Sequence, residues 1–353
     1  MKGEAMDHLT DQVKEIIQSY GPAIMGIATR QTLRGGPPSA ELSYVLPEAK
    51  SAISFALPLN KDFIRPFLGK QDRLSHERDN LQVNLLATGL ATHLAKHLEQ
   101  RGFPSVGVVA NESYRDEEKI GRLGMHPDLS HRYIAVRSGV GWFGFSGNII
   151  TREYGAAVIL GTCVTTADLD PTEPLPPEKS YCNRCKLCLA SCCSGLMDPE
   201  QQTKVTLGGR EFSYSKRRDY LRCEFVCGGM TGLHPTKKWS TWSPGRFAMP
   251  EDDRAFRDAM ITGIKAYSRR PAMEGGFPHI LMRSKLYLTC GNCQLLCWPD
   301  PEDRKENFRI LTSSGAVIQK PDGPLERVSA EEAGAYVTGL EEERRSLYTE
   351  QEE

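Results

Sequence analysis

The stretch CNRCKLCLASCCSG, from Cys182 to Gly195, places five cysteines within fourteen residues of a chain that has 11 in total. The first residues carry acidic side chains and helical apolar spacing, where a signal peptide would have a basic start and an unbroken apolar run. We therefore expect a cytoplasmic protein, and the apolar stretches are too short for a membrane span. In a reducing compartment, clustered thiols bind metal more often than they form disulfides.

The spacing of these cysteines predicts iron–sulfur clusters. Four of them form C-x2-C-x2-C-x3-C, the spacing of bacterial [4Fe–4S] proteins in which the fourth cysteine binds the other cluster. A second group, in CGNCQLLCWP, forms C-x2-C-x3-C. The crossed arrangement gives one cluster Cys182, Cys185, Cys188 and Cys297, and gives the other Cys192, Cys290 and Cys293.

One ligand of the second cluster is then missing. Cys223, in YLRCEFVC, is the first candidate and Cys227 the second. Cys163 lies in an apolar segment typical of a buried strand, and Cys193 stands where ferredoxin motifs usually carry proline, so both are expected to be non-ligands. Structural zinc, which prefers two C-x-x-C pairs, is the alternative, but it does not explain the run of three consecutive steps.

The order of elements indicates an α/β unit followed by a cysteine-rich unit. Apolar segments AIMGIAT, KSAISFALPL, SVGVVAN and YGAAVILGTCVTT predict strands, and helical patterns precede and separate them. We expect two layers of helix around a mixed sheet. The Pro- and acid-rich segment 166–180 predicts a boundary, giving domains 1–175, 176–310 with an insertion near 230–285, and an extension 311–353 that begins with a capping box at Ser329 and Glu332.

Beyond these patterns, the segment HRYIAVRSGVGWFGFSGNIITREYGAAVILGTCVTTADLDPTEPL, the cysteine run, an isolated cysteine and CGNCQLLCWP together resemble epoxyqueuosine reductases and reductive dehalogenases. The resemblance extends from GIAT to about Pro299. It implies an α+β fold: a nitroreductase-like α/β cobalamin-binding domain followed by a ferredoxin-like two-cluster domain. It also supports Cys223 as the missing ligand, and implies a base-off cobalamin without a protein histidine ligand.

The resemblance further implies a cofactor site around the glycine-rich loop. Its residues are Gly139, Gly141, Trp142, Gly144, Phe145 and Asn148. The glycines allow either a close approach of a flat cofactor or simply a tight turn, and the aromatic residues either pack on the corrin or fill the core. Phe145 departs from the family pattern, which has lysine or arginine there, and HPDLSHR offers Asp128, His131 and Arg132 in a shifted arrangement.

A reductive cleavage needs a proton donor, which contributes typically 10²- to 10⁴-fold. The candidates are Asp128, His131 and Tyr133, with Tyr114 and Tyr154 behind them. Each has an alternative role: Asp128 could cap a helix that starts at Leu129, and His131 could be a surface residue.

These observations predict a cobalamin-dependent reductase that receives electrons through two [4Fe–4S] clusters from a low-potential donor of the ferredoxin or flavodoxin type. Its substrate would be a small molecule or a modified nucleoside. The alternative is an electron-transfer or activator protein without substrate chemistry of its own. A net charge of −1 gives no general attraction for nucleic acid, and the basic run Lys216, Arg217, Arg218 and Arg222 is either a phosphate-binding patch or a solvated helix face. A nucleic acid partner is therefore not expected.

Overall fold

The computed structural model describes residues 2–111, 115, 126–279 and 282–350. Within these residues, no helix combines the length and the apolar character that crossing a bilayer requires.

The first half of the chain alternates helices and strands. It begins with α1 (Lys2–Ser19), β1 (Ile24–Thr29), β2 (Ser51–Pro58), α2 (Lys61–Leu68), α3 (Leu74–Glu99) and β3 (Ser105–Val108). It continues with α4 (His131–Arg137), β4 (Trp142–Phe143), β5 (Ile149–Ile150) and β6 (Val158–Thr165). The predicted strands and helices of this half are therefore present.

Four strands form one sheet in the order β1-β2-β6-β3, and every neighbouring pair is antiparallel. The expectation of a mixed sheet is wrong. The helical connection from β2 to β3 does leave these two strands pointing in the same direction, but β6 lies between them and runs against both.

Helices cover both faces of this sheet because successive side chains of a strand point to opposite sides. Ile53 and Phe55 of β2 pack in one core with α1 and α3, whereas Ala52 and Ala56 pack in another with α4. The face of α3 that enters the first core repeats at helical spacing through Ala87, Leu90, Ala91, Leu94 and Leu98. The prediction of two helix layers is confirmed.

The second half has shorter elements. They are α5 (Leu187–Ala190), β7 (Met197–Leu207), β8 (Arg210–Arg217), α6 (Tyr220–Cys227), α7 (Asp253–Tyr267), β9 (Phe277–His279), β10 (Met282–Leu286), α8 (Asn292–Leu295), α9 (Pro301–Thr312), β11 (Ala316–Gln319), β12 (Leu325–Val328), α10 (Ala330–Thr338) and α11 (Glu342–Arg345). The capping box of α10 is present as predicted.

The long hairpin of β7 and β8 was not predicted. Gly208 and Gly209 join its strands, both with positive φ, as two-residue hairpin turns require. Lys216 and Arg217 lie at the end of β8, and α6 begins only at Tyr220, so the basic run is not one helix face.

The two halves share one hydrophobic core. Val226 and Trp298 belong to the same buried cluster as Leu90 of α3, and the indole N–H of Trp242 donates to the carbonyl of Phe67 over 2.9 Å. The segment predicted as an insertion thus packs against the first half. The predicted domain boundaries themselves stay a prediction.

Candidate functional site

The structure brings the first predicted group of cysteines around one cavity. The cavity holds about 360 Å³ of empty space, part of it open to solvent. Four of its lining residues are Cys182, Cys185, Cys188 and Cys297. Cys297 thus joins three cysteines of the run although it lies in the second motif, as the crossed arrangement requires.

Two left-handed residues shape the loop that carries these cysteines. Arg184 and Lys186 both have φ of 56°, on either side of Cys185. The hairpin holds both side chains: Arg184 donates to Oε1 of Gln202 over 2.9 Å, and the ammonium of Lys186 donates to the carbonyl of Pro199 over 2.9 Å. As a result Cys185 is exposed at the surface, whereas Cys188 is buried.

The second predicted group is also brought together. Burial raises the pKa of the Cys293 thiol well above its usual range, and the neighbouring thiols of Cys223, Cys192 and Cys290 raise it further. Burial disfavours the thiolate forms of Cys290 and Cys293, and a bound cation would stabilise them. The arrangement therefore suits metal ligands.

Two cysteines compete for the fourth position of this second group. Cys223 acts electrostatically on both Cys290 and Cys293. The thiol of Cys227 donates to Oε2 of Glu224 over 3.4 Å. Cys227 also hydrogen-bonds Cys223 and interacts with Cys290, but Cys223 interacts with both Cys290 and Cys293, so the geometry favours Cys223, in line with the sequence.

The remaining two thiols lie in apolar surroundings. Cys163 is fully buried in β6 and Cys193 is 5% exposed in the main core. Burial raises the pKa of both thiols. Among the described residues, no group of three or more His, Cys, Asp or Glu side chains is already arranged to hold a single metal ion.

The glycine-rich loop lies between the two cysteine groups. The amide of Phe145 donates to Sγ of Cys182 over 3.3 Å, and Nδ2 of Asn148 donates to Sγ of Cys293 over 3.5 Å. One loop of four residues therefore contacts a member of each group.

The chain's own packing explains the first two glycines of this loop. A Cβ at Gly139, which has φ of +77°, would collide with the carbonyl oxygen of Glu173, and one at Gly141 would lie 2.6 Å from the carbonyl oxygen of Ile150. Close approach of the backbone itself thus requires glycine at these positions. Gly139, Gly141 and Asn148 do not line the cleft described next.

An open cleft adjoins the first cysteine group. It holds about 1180 Å³ of empty space, part of it open to solvent. The loop lines one side with Trp142, Phe143, Gly144 and Phe145, and the hairpin lines the other side with residues including Phe212 and Tyr214. The indole N–H of Trp142 is buried without a hydrogen-bond partner. Aromatic walls, size and this unpartnered N–H fit a large flat ligand.

A polar network lies behind the loop, and the sequence did not reveal it. Arg217 donates to the carbonyl of Ser146 through Nε (2.9 Å) and Nη2 (2.6 Å), to Oδ1 of Asn148 over 3.1 Å and to the Tyr220 hydroxyl over 2.8 Å. Arg132 donates to the same hydroxyl over 2.8 Å and to the carbonyl of Gly147 over 2.8 Å. Residues 69 to 88 positions apart meet here, which no local pattern could indicate.

The predicted proton donors lie in different surroundings. The ring of His131 bonds Oγ1 of Thr162 over 2.8 Å and the carbonyl of Val109 over 3.2 Å, and burial lowers its pKa. The histidine is thus half-buried, with both ring nitrogens engaged in hydrogen bonds. Asp128 is half-buried, and it is not a helix cap, because α4 begins at His131 with Ser130 before it.

Tyr133 lies closer to the cleft. Its hydroxyl is 3.0 Å from the hydroxyl of Tyr214, a residue of the cleft wall. Burial, together with Tyr214, raises the pKa of Tyr133, so the phenol keeps its proton at neutral pH. Tyr154 is partly buried in the core around α4, and Tyr114 lies outside the described residues.

Known proteins that are similar in sequence to this chain include epoxyqueuosine reductases. No protein-family model matches the chain. Curated epoxyqueuosine reductases are similar to it: that of Synechocystis sp. is 36% identical over 189 residues, 52% of this chain and 57% of the relative. That of Atelocyanobacterium thalassa is 27% identical over 193 residues, 54% of this chain and 56% of the relative.

The chain is thus similar in sequence to epoxyqueuosine reductases over about half of its length. The resemblance seen in the sequence is confirmed, and the relatives' name agrees with the prediction of an oxidoreductase. In these two matches the chain spans somewhat over half the length of the relative.

Solved structures of an epoxyqueuosine reductase and of a reductive dehalogenase resemble the chain weakly. A selenomethionine-labelled epoxyqueuosine reductase has a TM-score of 0.40 at 20% identity, covering 66% of this chain and 60% of its own. A reductive dehalogenase has a TM-score of 0.45 at 14% identity, covering 71% of this chain and 33% of its own.

Proposed function

We propose that this relative of the epoxyqueuosine reductases is a reductase that carries two [4Fe–4S] clusters and a corrinoid. The observation that supports this most is the partition of eight cysteines into two groups of four on either side of one loop. The first group would hold one cluster with Cys182, Cys185, Cys188 and Cys297. The second would hold the other with Cys192, Cys223, Cys290 and Cys293.

The corrinoid would lie in the aromatic cleft, held by Trp142, Gly144 and Phe145. A bound corrinoid supplies a strongly reducing, nucleophilic metal centre, and the clusters supply single electrons at low potential. None of the residues that line the cleft in the described part of the chain is histidine. This composition supports a base-off corrinoid without a protein histidine ligand.

Tyr133 and Tyr214 would supply the proton that a reductive cleavage requires. Tyr214 lines the cleft, and its hydroxyl lies 3.0 Å from that of Tyr133. A donor must lie within hydrogen-bond reach of the reacting group, directly or through one water. Of the predicted donors, Tyr133 satisfies this best, through Tyr214, because both ring nitrogens of His131 bond other groups.

The electron donor would be a low-potential carrier of the ferredoxin or flavodoxin type, and the substrate a small molecule or a modified nucleoside. We do not propose a tRNA partner. Four basic residues could bind phosphates. Arg217 bonds the glycine loop, Arg218 pairs with Glu251, and Arg222 is buried against the carbonyls of Pro250 and Glu251. Lys216 is exposed and donates to Oε1 of Gln201 over 3.0 Å.

An electron-transfer protein without substrate chemistry is the second candidate. It is favoured by Phe145, which lines the cleft where the relatives' pattern has a basic residue. This candidate predicts that the cleft binds no corrinoid, so the two functions separate in a binding experiment.

Corrinoid binding tests the proposal directly. Ser213, half-buried in the cleft wall, is changed to Trp to fill the cleft; Thr206, exposed on the same hairpin and not a lining residue of the cleft, is changed to Trp as the control. Titration of cluster-loaded protein with cobalamin, followed by visible absorption, is expected to show binding that Ser213→Trp weakens tenfold or more and Thr206→Trp leaves unchanged. Absence of binding, or equal loss in both variants, would contradict the proposal.

A further inference from the structure

We propose that Asn148 and Arg217 are positioning residues that raise the reduction potential of one cluster only, the one at Cys192, Cys223, Cys290 and Cys293. The inference rests on the proposed function, since it assumes that this group of cysteines holds a cluster. It assigns to Asn148 a role toward the second cluster, distinct from the corrinoid contact expected from the sequence.

The amide of Asn148 has a defined orientation. Its Oδ1 accepts from Nη2 of Arg217 over 3.1 Å, and its Nδ2 lies 3.5 Å from Sγ of Cys293. Because a guanidinium only donates hydrogen bonds, it must face the amide oxygen. The amide N–H groups therefore point toward the sulfur.

Arg217 is itself firmly held. Its three nitrogens donate to the carbonyl of Ser146, to Asn148 and to the hydroxyl of Tyr220, which Arg132 also contacts. In the part of the chain that the structure describes, no carboxylate forms a salt bridge with Arg217. A half-buried, uncompensated positive charge thus stands beside Asn148, one side chain away from Cys293.

Reduction adds a negative charge to a cluster. A nearby cation and an N–H donor to a ligand sulfur stabilise the reduced form more than the oxidised form, and such hydrogen bonds are among the factors that set cluster potentials. The low dielectric of a buried site strengthens the effect. Asn148 and Arg217 therefore raise the potential of this cluster.

The first cluster has different donors. The amide of Phe145 donates to Sγ of Cys182 over 3.3 Å, and the hydroxyl of Tyr181, which donates to the carbonyl of Cys297 over 3.1 Å, lies 3.7 Å from Sγ of the same residue. Neither Asn148 nor Arg217 contacts a member of that group in the described hydrogen bonds. A side-chain substitution can therefore change the polar surroundings of one cluster without the other: Tyr181 lies beside the first, and Asn148 and Arg217 lie beside the second.

The experiment is an anaerobic redox titration of cluster-loaded full-length protein, followed by EPR, with the iron content measured first. Asn148→Leu and Arg217→Gln are each expected to make one cluster harder to reduce by about tenfold in its equilibrium constant, 59 mV for one electron. The potential of the other cluster is expected to stay unchanged. Arg217→Lys, which keeps the positive charge, is expected to keep most of the wild-type potential. Tyr181→Phe is the matched variant and shifts the other cluster alone.

Unchanged potentials in both Asn148→Leu and Arg217→Gln would overturn the inference. So would a shift of the same cluster by Asn148→Leu and Tyr181→Phe. If Asn148→Leu fails to fold, the comparison of Arg217→Gln with Arg217→Lys decides alone. If the wild-type protein carries fewer than two clusters, the proposed function is contradicted instead. Failure of this inference and failure of the proposed function are therefore distinguishable.

Discussion

Among single side chains, Cys297 is the one member of the first cysteine group that comes from the second motif. Its three partners, Cys182, Cys185 and Cys188, come from one short loop, but Cys297 follows α8 and reaches the same cavity from the other motif. The hydroxyl of Tyr181 donates to its carbonyl over 3.1 Å and fixes the backbone there. The crossed pairing thus depends on one residue from outside the loop.

We expect Cys297→Ala to lose roughly half of the bound iron, because a cubane needs four thiolates and this substitution removes one from the first group only. Cys193→Ala is the control: Cys193 neighbours a ligand in sequence but is buried in the core. Iron analysis after anaerobic reconstitution checks both variants. Full iron in Cys297→Ala, or a loss in Cys193→Ala, would show that the assignment is wrong.

Among the structural elements, the glycine loop and the β7–β8 hairpin together build the site. The hairpin places Tyr214 against Phe143, with ring centroids 4.7 Å apart, and the amide of Ser215 donates to the carbonyl of Phe145 over 2.9 Å. The loop therefore keeps its shape through contacts on several sides.

Gly139→Ala is expected to destabilise the protein by about 1–3 kcal/mol or more, since a left-handed non-glycine residue is strained and its Cβ would meet Glu173. Gly89→Ala provides the opposite control, because Gly89 lies exposed in α3 with open space around it, where alanine stabilises by roughly 0.5–1 kcal/mol. Urea denaturation of both variants measures the difference. Unchanged stability in Gly139→Ala would contradict the packing role of this glycine.

A buried carboxylate ties α3 to the second half of the chain. Glu77, 1% exposed, pairs with Arg73 over 2.5 Å and accepts from the amides of Gly276 and Leu288, each over 2.8 Å. Glu77→Ala should cost about 3–5 kcal/mol, because it leaves a buried guanidinium unpaired. The denaturation midpoint checks this; a loss below about 1 kcal/mol, typical of an exposed ion pair, would refute it.

Which elements could be predicted depended on their apolar pattern. The apolar run of β2 and the helical apolar repeat of α3 can be recognised in the sequence. The order of strands in the sheet depends on packing between distant segments, and no local pattern indicates that β6 lies between β2 and β3. The hairpin was missed because β7 is polar along much of its length. Gly208-Gly209 between the two strands was the signal that could have revealed it.

At the level of the whole molecule, one buried histidine makes stability depend on pH. His76 is 1% exposed, lies 4.7 Å from the ring of Phe67, and burial lowers its pKa from 6.5 to about 4. Between these values the unfolded chain binds the proton and the folded chain does not. The contribution of His76 to the free energy of unfolding therefore falls as the pH decreases from 6.5 to 4, by about 3 kcal/mol.

His76→Leu should remove this contribution. Urea unfolding at pH 7 and pH 5 compares the two proteins: the variant is expected to lose less stability between these pH values than the wild type. An equal loss in both would show that His76 does not cause the acid sensitivity.

The grouping of the cysteines in space could be predicted from the sequence, because cluster ligands occur at fixed spacings; their role as cluster ligands stays a prediction. The network of Asn148, Arg217 and Tyr220 could not be predicted, since its members come from different elements and meet only through the hairpin. The functional account therefore depends most on the two groups of thiols.

The most direct test is the iron content and low-temperature EPR spectrum of protein purified anaerobically from iron-supplied cells. Two clusters predict about eight irons per chain and, on reduction, two [4Fe–4S] signals. About four irons with a single signal, or stoichiometric zinc in a colourless protein, would contradict the assignment of the eight cysteines to two clusters.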